Sequence, residues 1–228
     1  MSLRYKDIQY DLSRSQRKTA SIYIERDGRI SVMAPDQWSD EQVQHVLERK
    51  RPWIYRGLAE WEDLNATRVE REFVSGEGFL YLGSSYRLTL VERQSEPLTL
   101  KDGWFRLRAD EVASAPERFK EFYRAKGLER LPKRVTYYQV KMGVEATGVR
   151  VMELKNRWAS CSADHKINFH WKCLMAPMRI LDYIVVHELA HLLHEHHTQA
   201  FWGTVDKVMP DYRDRKEWLR TNGAGMDL

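Results

Sequence analysis

The stretch that most constrains this chain is His187-Glu188-Leu189-Ala190-His191, set in an apolar run that starts near Met178 and continues through Leu192-Leu193. On a helix, residues four apart share one face about 6 Å along the axis, so both imidazoles can hold one metal ion. Glu188 lies beside them, where it can act on a water without taking a coordination position. The apolar flanks supply the rigid, buried support that a catalytic pair needs.

A third ligand is required, and geometry narrows the choice. His194, His196 and His197 follow. If the helix continued, His194 would lie roughly 10 Å along the axis from His187. Zinc ligands have bonds of about 2.1 Å, so their donor atoms lie only about 3.4 Å apart. Three histidines on one straight helix therefore do not converge. The third must come from chain that has turned back, which points to His196 or His197. His197 is six residues past His191 and precedes Thr198, an N-cap for a helix beginning Gln199-Ala200-Phe201-Trp202. His165 and His170 fall on or beside strands, where a lone histidine is usually structural or solvated.

The rest of the chain reads as α+β. Ile8 to Leu12 alternates as a strand, and Ala20–Glu25 and Arg29–Met33 flank Asp27-Gly28 as a hairpin. Ser39-Asp40-Glu41-Gln42 is a capping box opening a helix with Val43, Val46, Leu47, Trp53, Ile54 and Leu58 on its apolar side, and with Pro52 as a potential kink. Turn signals at Glu77-Gly78, Gly83-Ser84 and Asp102-Gly103 break residues 71–108 into short strands, expected to form a small antiparallel sheet with the preceding helix. Pro116 opens a second helix whose expected buried stripe is Phe119, Phe122, Tyr123, Leu128, Leu131, Val135, Tyr138 and Val140; Gly143 to Gly148 ends it. Two strands, Val149–Ser162 and Lys166–Cys173, then lead into the metal helix. The expected organisation is an N-terminal β-rich module with one long helix, 1–111, and a metal-binding core, 112–228.

Composition sets outer bounds. With 228 residues, 43% of them hydrophobic and 31% charged, the chain can bury a substantial core. A net charge of +4 permits an anionic partner without demanding one. Cys161 and Cys173 are expected to be reduced, buried thiols. Met1 to Thr19 carries no apolar core of a signal peptide, and no stretch reaches membrane-spanning length, so the expected location is the cytoplasm.

Taken together, H-E-L-A-H-x5-H with Thr198 to Trp202 resembles the YgjP-like metallopeptidases, relatives of the WLM and SprT-like zincins. Asn156-Arg157-Trp158-Ala159-Ser160-Cys161-Ser162 resembles that family's R-W-G-S-C-S strand, with Ala159 in place of glycine. Ile167 to Lys172 resembles the strand after it, Ala176-Pro177 and Leu181 to Tyr183 the helix entry, and Pro210-Asp211-Tyr212 with Trp218-Leu219 the C-terminal signature. Three past His191, where related zincins often turn on glycine, stands His194, read as a helix-end residue. The resemblance implies a zincin-like core and a zinc metallopeptidase with His187, His191 and His197 as ligands and Glu188 as general base, acting on peptide or protein substrates. It also implies an edge strand bordering the cleft, for which residues 166–173 are a candidate. Asp182 is a candidate for orienting a ligand. Two other readings stand beside it: a nucleotide pyrophosphohydrolase using Mg2+ or Mn2+ at the same site, and a nucleic-acid-binding module with a structural metal. A purely structural site would gain nothing from Glu188.

Overall fold

Alternation places Ile8, Tyr10, Ile30, Val32 and Ala34 on one side of a small sheet, where they bury against Val43, Leu47 and Ile54 of the helix that follows. In the computed structural model, which describes residues 2–25, 27–65, 71–154 and 157–228, this is the first of two units, Met1–Val69 and Glu70–Leu228. Its strands are β1 (Ser2–Tyr5), β2 (Ile8–Ser15), β3 (Ser21–Ile24) and β4 (Ile30–Pro35), in the order β1-β2-β4-β3. The pair β3/β4 is the antiparallel hairpin expected at Asp27-Gly28, with Gly28 at φ +81°, while β2 and β4 run parallel. Arg26, inside that hairpin, lies outside the described residues. Helix α1 (Asp40–Asn65) opens on the expected capping box: the Ser39 hydroxyl accepts from the Gln42 N–H at 3.3 Å, and the Gln42 side chain accepts from the Ser39 N–H at 2.8 Å. Trp53, expected on the apolar side, is exposed.

The second unit opens with β5 (Gly78–Tyr81), β6 (Ser84–Val91), β7 (Leu98–Lys101) and β8 (Trp104–Arg108), ordered β5-β6-β8-β7. The sheet is mixed rather than antiparallel. The Asp102-Gly103 turn folds β8 back between β7 and β6, and β8 meets β6 in parallel. Helix α2 (Ala115–Met142) begins with Pro116 in its first turn and ends on Gly143 at φ +65°. Its buried stripe is Phe119, Tyr123, Gly127, Leu131, Val135 and Tyr138. Leu128 and Val140, expected in that stripe, are exposed at 52% and 77%, because a spacing of four carries the stripe through Gly127. A Cβ at Gly127 would lie 3.0 Å from Val151 and 3.1 Å from Leu174, so the missing side chain is what lets the helix approach that closely.

The segment expected as one strand from Val149 to Ser162 is two, β9 (Gly148–Met152) and β10 (Ala159–Cys161), with residues 155–156, Asn156 of the motif among them, outside the described residues. Strand β11 (Lys166–His170) lies between them, antiparallel to β10 and parallel to β9. Helices α3 (Met178–Ala190), α4 (Gln199–Val208) and α5 (Tyr212–Asn222) complete the unit. Phe79, Phe105 and Leu107 from the β5–β8 sheet share one buried cluster with Phe119 and Tyr123 of α2 and with Val185 and Leu189 of α3. Phe79 stacks on Phe119 with centroids 4.2 Å apart, and the Tyr123 hydroxyl donates to the Leu80 carbonyl at 2.6 Å. These shared contacts are why the units divide at Val69/Glu70, whereas the sequence places the boundary near residue 112. Among the described residues, no helix is long and apolar enough to cross a membrane.

Candidate metal centre

Helix α3 is apolar on nearly every side, so it is buried on nearly every side. Ile180, Leu181, Ile184, Val185, Val186, Leu189 and Ala190 are all closed off from solvent. Its last turn tightens: the N–H groups of His191, Leu192 and Leu193 donate to carbonyls three residues back, at 3.1–3.2 Å. The chain then leaves the helix and returns to Thr198, whose hydroxyl accepts from the Phe201 N–H at 3.4 Å and caps α4. His194 follows directly after the turn Leu192-Leu193 and takes part in this reversal without a positive φ.

The reversal brings His197 back to the pair on α3. One ring nitrogen from each of His187, His191 and His197 lies within 4.8 Å of the others. His194 and His196 are not in this group. The His187 and His197 Nε2 atoms face each other at 2.9 Å. His191 Nδ1 donates to the His194 carbonyl at 3.1 Å, which leaves the Nε2 lone pair free to point away from that carbonyl. His194 therefore acts through its backbone, while its ring pairs with the Thr204 hydroxyl at 2.9 Å. The fully buried Phe201 ring backs the cluster, with centroid distances of 5.0, 4.7 and 4.7 Å to His187, His191 and His197.

Burial governs the electrostatics. It lowers the His187 pKa to about 3, with smaller contributions from His197, His191 and Lys216, and it lowers that of His197 as well. Neutral imidazoles are the form that ligates metal. Glu188 is buried, and burial raises its pKa to about 7 against the opposing pull of the Cys161 backbone N–H and the Arg157 charge. This donor set fits a metal ion. Two Nε2 atoms at 2.9 Å need a proton or a cation between them, and all three rings are nitrogen donors of the kind zinc prefers.

Other candidates fall elsewhere. Asp182 does not orient a ligand: both its oxygens accept from the Arg134 guanidinium of α2, each at 2.7 Å. His165 is a turn residue at φ +60° between β10 and β11, and the His170 Nδ1 accepts from the Lys172 N–H at 3.1 Å. Neither joins the cluster. Strand β11 is the centre of its sheet, so it is not the edge; β10 is, and its Cys161 N–H reaches Glu188. Cys161 and Cys173 are both free thiols, and burial raises the pKa of each, with the Glu188 charge adding to it. Phe201, Trp202 and Lys216 belong to the surroundings of the cluster as well; for Lys216 the sequence signal is the recurrence of Arg213, Lys216 and Arg220 on one face of α5.

The family model described as YgjP-like, metallopeptidase domain matches residues 18–222. The chain is also similar to the crystal structure of the metallopeptidase zymogen of Pyrococcus abyssi abylysin, at 27% identity and a TM-score of 0.38, over 40% of this chain and 91% of that one. No curated protein sequence matches it.

Proposed function

The chain belongs to the YgjP-like metallopeptidase family, and from that premise we propose that it is a zinc-dependent peptidase whose metal is held by His187, His191 and His197. The observation that carries the reading is the convergence of those three ring nitrogens within 4.8 Å, with buried Glu188 on the same helix as two of them. Bound there, zinc would polarise a water and the scissile carbonyl. Glu188 accepts the proton of the attacking water and delivers it to the leaving amine. A carboxyl whose pKa burial has brought to about 7 suits both halves of that task near neutral pH. The His194 carbonyl holds the His191 ring in one tautomer, and Phe201 keeps water from the back of the cluster.

Metal analysis and a peptide-hydrolysis assay test the reading together. The expected result is about one zinc per chain, loss of hydrolysis on chelation, and recovery on adding zinc. Hydrolysis that survives complete metal removal sinks the proposal. Recovery only with Mg2+ or Mn2+, on nucleotides and not on peptides, would keep the site and replace the substrate.

A further inference from the structure

Beside the histidine cluster, Trp202 of α4 and one face of α5 line a groove of about 420 Å³ whose other lining residues are Tyr212, Arg213, Lys216, Glu217 and Arg220. Its wall is continuous with the cluster. The Trp202 ring lies 5.6 Å from the His197 ring at an interplanar angle of 22°, and 5.2 Å from the Tyr212 ring at 15°. Three nearly parallel rings thus lead from a proposed ligand into the groove. The Lys216 ammonium sits 4.4 Å over the Trp202 ring, and the Arg213 guanidinium lies 5.2 Å over that of Tyr212.

The charge in this groove is not cancelled. Glu217 pairs with Arg220 at 2.6 Å, while among the described residues no acidic side chain pairs with Lys216 or Arg213. An aromatic face holds a cation in place without neutralising it, so both charges remain available to an incoming anion. The aromatic wall offers apolar contact to the stem that carries the anion.

We propose that this groove is a substrate subsite for a carboxylate-bearing residue of a peptide, with Lys216 and Arg213 receiving the carboxylate and Trp202 packing against its stem. The proposal rests on the peptidase reading and names the substrate feature that reading leaves open. An extended peptide advances about 3.3 Å per residue, so the carboxylate belongs roughly two or three residues from the scissile bond. It can come from a Glu or Asp side chain or from the C-terminus.

The test uses capped eight-residue Ala/Gly-based peptides, each with one Glu moved along the chain, with Gln twins, and with free-acid and amide C-termini. The zinc-loaded full chain is assayed for kcat/KM, and zinc-loaded Glu188→Gln protein is titrated with the same pairs by calorimetry. At one position Glu should be preferred over Gln by roughly three- to tenfold, chiefly through KM and Kd. Lys216→Glu should invert that ratio, whereas Lys133→Glu on α2, the same change in net charge, should leave it. If only the free-acid C-terminus is preferred, the carboxylate source is the terminus and the subsite stands. Equal use of Glu and Gln peptides everywhere, or a ratio that Lys133→Glu moves as much as Lys216→Glu, overturns the proposal. So does competition by a short oligonucleotide with no Glu/Gln discrimination, which would assign the groove to phosphates. Failure to cleave any peptide would instead defeat the peptidase reading, and the calorimetric ratio would still decide the groove.

Discussion

At Glu188 the chemistry can be separated from the scaffold. Glutamine keeps the size and one acceptor oxygen but cannot take a proton. Glu188→Gln should therefore retain zinc and lose hydrolysis by about 10²- to 10⁴-fold, the range of a positioned general base. Full activity in that variant would remove Glu188 from the mechanism. His197→Ala should greatly weaken zinc binding, since it takes one of three nitrogens from the group; His194→Ala should keep the stoichiometry, because the His194 backbone carbonyl, not its ring, meets His191. Full zinc occupancy in His197→Ala would refute the ligand set. Helical spacing made His187, Glu188 and His191 legible, and the failure of a straight helix to converge made His196 and His197 the remaining choices. The role of Asp182 was not legible, because its partner Arg134 is 48 residues away on α2 and nothing local encodes that pairing. At His170 the residue scale also sets a pH dependence. Burial first, then the Lys172 charge, lowers its pKa from 6.5 to about 4. The folded state thus binds fewer protons than the unfolded one between those values. Stability present above pH 6.5 is lost as pH falls toward 4. Urea unfolding of chelator-treated protein from pH 7 to 4 should show His170→Asn with a shallower loss than wild type; equal slopes would contradict it.

Elements meet at the β5–β6 turn, Leu82-Gly83. Both residues have positive φ, +50° and +84°, and their N–H groups donate to the Leu174 and Met175 carbonyls at 2.8 and 3.0 Å, on the chain entering α3. A Cβ at Gly83 would lie 2.9 Å from the Pro177 Cα, a backbone atom that cannot swing aside. Gly103, at φ +80° in the β7–β8 turn, has open space instead. Gly103→Ala should thus incur only the backbone cost, about 1–2 kcal/mol, whereas Gly83→Ala adds overpacking and should reach about 2–4 kcal/mol. Chemical denaturation of the two variants measures the difference, and equal losses would mean that the turn does not brace the entry to α3. Turn glycines and capping residues were readable because their signals are local. The order β5-β6-β8-β7 was not, since the parallel pairing of β6 with β8 is a non-local contact that no turn signal encodes. The same holds for Leu128 and Val140: periodicity allows either edge of the stripe, and the neighbour across Gly127 chooses.

At the scale of the molecule, the sequence puts a boundary near residue 112 and the units divide at Val69/Glu70, so two truncations give opposite outcomes. Residues 71–228 keep every member of the larger buried cluster, from Phe73 to Met226, together with all three histidines and the groove beside them. Residues 112–228 keep the histidines but lose Phe79, Tyr81, Leu88, Phe105 and Leu107, which leaves Phe119 and Tyr123 of α2 without the rings they pack on. Each large apolar side chain of the remaining core that this uncovers forfeits about 1.5–3 kcal/mol, and a few of them together rival the whole stability of a domain, about 5–15 kcal/mol. The Leu82 and Gly83 donors to the entry of α3 would go with them. The 71–228 protein should therefore unfold cooperatively and bind zinc with wild-type stoichiometry, and the 112–228 protein should do neither. Circular dichroism melts and metal analysis of the two proteins decide the matter. A cooperatively folded, zinc-loaded 112–228 protein would show that the β5–β8 sheet is an accessory to the metal centre and not part of the core that supports it.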